Sequence, residues 1–439
     1  MYDHKRILII NYYWPPCGGP AVQRWLDFAN RFAADKFEVH ILTVSPDTAT
    51  FTSIDQSLVK EINSSVKVHY ADASDYFWLY KKFLGKGKVP GNALADEVHP
   101  NLLKKIARFL RGNIFLPDPR RGWNANAKKE ALSIIKQNEI DIIITAGPPQ
   151  STHLIGLDIK RQFQNLFWIA DFHDYWTDVF FLDKFYRTRL ARWVDRKYEK
   201  SVLVNANHVL THTDYGQKLY YDKVKGERTP NFISVVRMGY DEQKFSNIEK
   251  TEPSTSFKIT YTGTLADYYD PECVWDALND IIEIKKDLDI ELHLVGIISP
   301  KIKAYIEKSN LKKKTFFHGY IPHKESIKIL LSSNLLLLFN PNVKNDIGIV
   351  PGKIFEYMAT GIPILSISSH GSENEKLLKQ HDAGVNFERH EVSEIENFIA
   401  YSLYNRKTVK FNSTAEYSRE KQYLKMKCFP VFNTKVEVF

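Results

Sequence analysis

The sequence predicts an α/β protein with two doubly wound parallel sheets, one in each half of its 439 residues. Three observations carry this expectation. Short apolar runs alternate with amphipathic segments at helical spacing, which is how parallel βαβ units read. The alternation occurs twice, once before residue 240 and again from 257. The stretch between, residues 241–256, is polar and contains Pro253, as suits a linker. The expected domains are therefore 1–240 and 257–411, followed by a helix and tail at 412–439 that could pack back on the first domain.

Element by element, Arg6–Tyr13 reads as a buried strand and Trp14–Pro20 as a turn dense in Pro and Gly. Val22, Trp25, Leu26, Ala29, Phe32 and Ala33 then recur at helical spacing, before a strand at Phe37–Val44. Strands follow at Asp141–Thr145 and Phe167–Asp171, with a helix from about Ser151 between them. A long amphipathic helix at Arg187–Asn205 precedes a strand at His208–Thr211. The second series starts with a strand at Lys258–Tyr261 and a helix from about Pro271. Its further strands are Glu291–Val295, Thr315–His318, Leu335–Phe339 and Pro363–Ile367, and Thr414–Lys427 reads as a terminal helix. Sheets of this kind bind ligands at the carboxyl ends of their strands, so a crevice shared by the two domains is the expected site.

Composition narrows the class. With 44% hydrophobic and 26% charged residues the chain is ordinary globular protein, not disordered. Three distant cysteines, Cys17, Cys273 and Cys428, supply neither a disulfide framework nor a zinc spacing and point to a reducing compartment. No leader is visible and no window approaches 18 apolar residues, so a cytoplasmic location without a membrane span is expected. The formal charge of +8 is compatible with nucleic acid, an anionic membrane surface or a phosphorylated substrate.

The most informative segment is NPNVKNDIGIVPGKIFEYMATGIP, Asn340–Pro363. Pro351 suits the first position of a helix, Gly361 its C-terminal cap, and Pro363 blocks continuation. At 100° per residue Ile354, Phe355 and Met358 share one face, while Lys353, Glu356 and Thr360 share the other. Free N–H groups at Gly352 and Lys353, the Lys353 ammonium and the Glu356 carboxylate would together hold a nucleotide diphosphate, phosphates at the helix start and ribose on Glu356. An exposed Lys–Glu pair on a surface helix would give the same spacing.

PGKIFEYMATGIPIL resembles the donor-binding helix of the family-4-type glycosyltransferases, which have the two-domain GT-B fold. ILIINYYWPPCGGPAVQRW is similar to that family's first strand and glycine-rich loop, and VVRMGYDEQKF to its entry into the second domain. KITYTGTL resembles the first donor-domain strand, and FFHGYIPHKES a later loop of that domain. The resemblance implies two Rossmann-like domains and retaining transfer of a sugar from a nucleotide-diphosphate donor, with no cofactor and no required metal. Glu356 matches the second glutamate of the family's Glu–seven residues–Glu motif. Gly348 stands where the first would be, and Asp346 lies two residues upstream as a substitute. Gly263, Thr264, Pro351 and Gly352 complete the implied donor contacts, and Met238 replaces the usual Asn before Gly239.

Four further groups lie on the first half. Gly18 and Gly19 end the first strand in a loop whose amides could contact donor phosphates or acceptor, although a tight strand–helix turn needs them equally; the G-x-G-x-x-G spacing is absent. In AGPPQSTH, His153 falls in the first turn of a helix and could hydrogen-bond an acceptor or the donor sugar, or simply satisfy a backbone group. Asp171-Phe172-His173-Asp174 follows a strand, and Asp171 or Asp174 could orient the acceptor or merely cap a turn. Across Tyr76–Trp123, aromatics alternate with Lys and Arg, and Leu103, Ile106, Ala107 and Leu110 form a stripe flanked by cations. This is how a helix on an anionic membrane surface reads, or an ordinary helix packed on the first domain. Membrane contact would suit a lipid-linked acceptor and a peripheral seat. Stacking platforms for single-stranded nucleic acid are not evident elsewhere, so no nucleic-acid partner is expected. An epimerase of the same fold, or a degenerate scaffold that binds carbohydrate, remain as alternatives.

Overall fold

The computed structural model describes residues 5–51, 53–74, 102–246, 256–285, 288–405 and 414–432. The chain divides into two compact units, one formed by 1–238 with 422–439 and the other by 239–421. Most of the basic, aromatic stretch expected at the membrane, 76–101, and most of the linker, 247–255, lie outside the described residues, as does 433–439.

Among its described residues the first unit holds seven strands: β1 Arg6–Asn11, β2 Glu38–Val44, β3 Lys67–Ala71, β4 Ile142–Gly147, β5 Phe167–Phe172, β6 His208–Thr211 and β7 Ile233–Val235. All pair in parallel, in the order β3-β2-β1-β4-β5-β6-β7. Successive side chains of β1 enter opposite cores, Leu8 and Ile10 joining one and Ile7 and Ile9 the other. Helices on both faces account for this double burial, which is why the strand reads as a continuous apolar run. Helix Pro20–Ala34 buries Val22, Trp25, Leu26, Ala29 and Phe32 as its spacing predicts, and also Arg24. Helix Arg419–Lys427 returns to this unit: Tyr423 packs against Phe28 and Phe32, and its hydroxyl donates to Asp35 at 2.6 Å.

The second unit holds β8 Phe257–Thr262, β9 Ile290–Val295, β10 Thr315–Gly319, β11 Leu335–Phe339, β12 Ile364–Ile367 and β13 Gly384–Phe387. They too are all parallel, ordered β10-β9-β8-β11-β12-β13. Ile259, Tyr261, Leu335 and Leu337 share one core with Trp275 of helix Glu272–Ile284. Both sheets are thus doubly wound and Rossmann-like. In each, the order reverses beside the first strand, where such folds leave room for a ligand.

Two local expectations change. The helix expected from Pro351 begins at Lys353, with Gly352 as its cap and Pro351 ahead of it. Helix Leu102–Asn113 buries Ala107 and Arg108 but turns Ile106 outward, so the stripe Ile106, Ala107, Leu110 is not one buried face. The helix is rotated so that the stem of Arg108 packs inward in place of an apolar residue.

Candidate functional site

Helix Lys353–Thr360 buries Ile354, Phe355, Tyr357 and Met358 and leaves Lys353, Glu356 and Thr360 half-buried on the other side. Gly361, at φ 69°, caps its end as the sequence predicts. At its start, the N–H groups of Gly352 and Lys353 make no hydrogen bond among the described residues. Unpaired amides of this kind attract anions, helped by the helix dipole.

The Lys353 ammonium folds back over the end of β8. Its Nζ donates to the Tyr261 hydroxyl at 2.8 Å and to the carbonyl of Thr262 at 2.6 Å, and lies 4.1 Å from the centre of the Tyr261 ring. Burial pulls its pKa down to about 7, against the opposing pull of Glu356. Gly263 makes room for it: a Cβ there would sit 2.7 Å from Nζ. The neighbouring strand-end turns interlock, since a Cβ on Gly296 would lie 2.3 Å from the Gly263 carbonyl oxygen and Gly296 donates to the Gly319 carbonyl at 2.7 Å. Thr264 is exposed beyond this turn, and its carbonyl accepts from the Tyr261 hydroxyl at 2.7 Å.

Glu356 meets a partner that its own helix does not supply. His323, first residue of helix His323–Leu331, places Nε2 2.9 Å from the Glu356 Oε1. Burial pushes the Glu356 carboxyl upward, but His323, with Arg419 and Lys244 further off, outweighs it and holds the group below the usual carboxylate range. The structure therefore brings Gly263, Gly352, Lys353 and Glu356 together and adds Tyr261 and His323. The signal for His323 was its place just after a strand end in FFHGYIPHKES.

Asp346 and Gly348 are buried in the loop before the helix. Asp346 accepts from the Ser369 amide at 3.1 Å, and Asn340 Nδ2 reaches the carbonyls of Asp346 and Ile349 at 3.3 and 3.0 Å. These contacts brace the loop.

In the first unit the predicted residues part company. Gly18 is pinned by its N–H to the Ser53 carbonyl at 3.1 Å, while Gly19, at φ 125°, faces open space. His153 is fully enclosed, with Nδ1 2.9 Å from the Thr145 hydroxyl and its ring stacked on Phe172. Burial drags its pKa to about 3, so it is neutral. Asp171 is also fully enclosed: Arg24 Nη1 at 2.8 Å and Trp25 Nε1 at 2.9 Å both donate to it. Any influence of Asp171 on a ligand passes through its partners. Its other oxygen lies 3.8 Å from His212 Nε2, which is 3.0 Å from His173 Nδ1. Asp174, by contrast, is exposed at a cavity of about 150 Å³. Tyr13, Gln150, Tyr175, Trp176 and Arg120 share its wall, at the carboxyl ends of β1, β4 and β5.

Residues 242–421 match the family model of glycosyl transferases group 1. The matched segment covers nearly all of the second unit, including Lys353, Glu356 and His323. No curated protein sequence matches the chain. Solved structures match it over almost its whole length. Sucrose-phosphate synthase from Thermosynechococcus elongatus aligns with a TM-score of 0.59 and 14% identity over 96% of this chain and 97% of its own. The lipopolysaccharide outer core galactosyltransferase WaaB gives 0.60 and 12% over 96% and 98%. An S. aureus TarM variant, solved with fondaparinux, α-GlcNAc-glycerol and UDP, gives 0.54 and 12% over 98% and 100%. The fold is that of the GT-B glycosyltransferases.

Proposed function

We propose that this protein is a glycosyltransferase that moves a sugar, with retention, from a nucleotide-diphosphate sugar to a hydroxyl of a glycan or lipid-linked acceptor. The reading includes cell-surface polysaccharide synthesis, a cytoplasmic location with a peripheral membrane seat, and no required metal or cofactor. One observation carries it: the start of helix Lys353–Thr360 offers two unpaired amides, an ammonium and a carboxylate at the ligand-binding edge of a parallel sheet. The amides and Lys353 take the diphosphate, and Glu356, oriented by His323, accepts hydrogen bonds from ribose hydroxyls. As the glycosidic bond breaks, negative charge grows on the leaving diphosphate, and a preformed positive site stabilises it most at that moment. Asp174 and the cavity beside it belong to the acceptor in this reading.

Calorimetry with UDP and GDP tests the proposal. Binding of one of them, weakened about tenfold or more by Glu356→Ala with unchanged circular dichroism, is the expected result. Binding of neither would favour the degenerate scaffold, to which buried Gly348 in the first-glutamate position already lends support.

A further inference from the structure

Isolated apolar side chains on a protein surface are ordinary; a cluster ringed by one sign of charge is not. In the first unit, helix Leu102–Asn113 exposes Leu102, Ile106 and Phe109, spaced to fall on one stripe, and Ile114 follows just beyond its end. Its other side is packed: Ala107 and Arg108 are buried, and a Cβ on Gly112 would sit 2.5 Å from the Phe185 carbonyl oxygen. Asn113 then ties this helix to the start of helix Arg189–Asn205. Its Nδ2 donates to the Tyr186 carbonyl at 3.2 Å, and its Oδ1 accepts from the Thr188 amide at 2.7 Å.

The second helix repeats the pattern from its own side of the junction. Leu190 and Trp193 are 69% and 58% exposed, one turn apart, and Tyr186 is exposed just before them. The charges on this helix are sorted by sign. Arg189, Arg192, Arg196, Lys197 and Lys200 are exposed, whereas its carboxylates Asp195 and Glu199 are buried. Asp195 faces Trp176 and Arg187, and Glu199 faces Thr177 and Lys223. Helix Leu102–Asn113 has no acidic residue and exposes Lys105. Two exposed acids pair with this set, Glu227 with Lys200 at 2.6 Å and Asp183 with Arg192 at 3.8 Å, which leaves Arg189, Arg196 and Lys197 outside the described ion pairs with acids.

We infer that these two helices form a docking surface for an anionic lipid bilayer. Leu102, Ile106, Phe109, Ile114, Leu190 and Trp193 enter the headgroup boundary, and the surrounding Arg and Lys side chains meet lipid phosphates. Apolar side chains supply the non-directional part of such binding, cations the part that depends on lipid charge and salt, and Trp193 suits an interface that is apolar at one end and wet at the other. The inference rests on the membrane side of the reading above and not on its donor side. It adds a second helix that the basic stretch ending at Trp123 does not contain.

Sedimentation of the full chain with vesicles tests it, using phosphatidylcholine alone and phosphatidylcholine with about a quarter phosphatidylglycerol. Expected is binding to the anionic vesicles, weak binding to the neutral ones, and release by high salt. Leu190→Glu/Trp193→Glu and Ile106→Glu/Phe109→Glu should each lower the partition onto anionic vesicles by about tenfold or more. Their circular dichroism and UDP affinity should match the parent, because these side chains lie on the surface. Failure of the parent to sediment, or variants that sediment like it, overturns the inference. So does a concentration-dependent dimer that the variants dissolve in the absence of vesicle binding, since the surface would then belong to a second copy. A chain that binds vesicles but no nucleotide would sink only the donor reading.

Discussion

Lys353 sits near the balance point between its two protonation states. Burial lowers its pKa to about 7, so near neutrality the folded protein holds it partly uncharged. Between about 7 and the ordinary lysine value near 10.4 the unfolded chain binds more protons than the folded one, and stability rises with pH across that window. In the proposed reading diphosphate binding has the opposite sign, because it needs the ammonium. UDP affinity should therefore fall as pH rises through about 7, and titrations at several pH values should show proton uptake on binding. Lys353→Arg should flatten the dependence, since a guanidinium does not titrate there. An affinity independent of pH in the parent protein would remove Lys353 from the phosphate site. His173 carries a quieter version of the same logic. Burial lowers its pKa and that of His212, whose Nε2 lies 3.0 Å from His173 Nδ1.

At the scale of elements, the strand-end turns of β8 and β9 show how backbone conformation serves the site. Gly296 combines φ 114° with a Cβ position 2.3 Å from a backbone oxygen, so nothing larger fits without moving Gly263. Gly296→Ala should cost about 2 kcal/mol or more in urea denaturation and weaken UDP binding through the displaced Lys353 shelf. Full stability with native affinity would contradict this interlock. The same scale explains what the sequence reveals and what it hides. Runs such as Ile7–Ile10 and Leu335–Leu338 are legible because both faces of their strands are covered. Edge strands β3 and β13, KVHYA and GVNF, escape notice because one side of the strand lacks a neighbour and the apolar run is broken. Lys353 and Glu356 are legible because helical phase places them together. Tyr261 is not, because it arrives from a strand 92 residues away, and His323, 33 residues away, is marked only by its place after a strand end. Asp171 looked chemical for its company in sequence, yet its partner Arg24 sits 147 residues off within an otherwise apolar helix face.

For the molecule as a whole, buried histidines set the response to acid. Among the described residues, each unit carries a Glu–His–His chain on equivalent strands. Glu38, His40 and His69 link β2 to β3 with contacts of 3.1 and 3.0 Å, and Glu291, His293 and His318 link β9 to β10, both at 2.9 Å. Burial lowers the pKa of His40, His69 and His318, as it does for His153, to about 3, and His208, to about 4. These groups fold neutral, so the unfolded chain takes up more protons as pH falls below about 6.5, and stability drops with it. His153 alone accounts for a loss on the order of 4 kcal/mol by pH 3. Urea midpoints should decline steadily from pH 7 to pH 4; a flat profile would mean that these side chains are hydrated in solution.

The first unit is discontinuous in sequence, and this bears on how the polypeptide matures. Tyr423, Met426 and Phe432 complete the core around Phe28 and Phe32, yet they leave the ribosome after every residue of the second unit. Throughout that interval an oily patch on helix Pro20–Ala34 stays bare, a nascent surface for chaperones to shield or for neighbouring chains to misuse. Clipping the residues after Lys421 would freeze the protein in that unfinished condition, however intact its second unit.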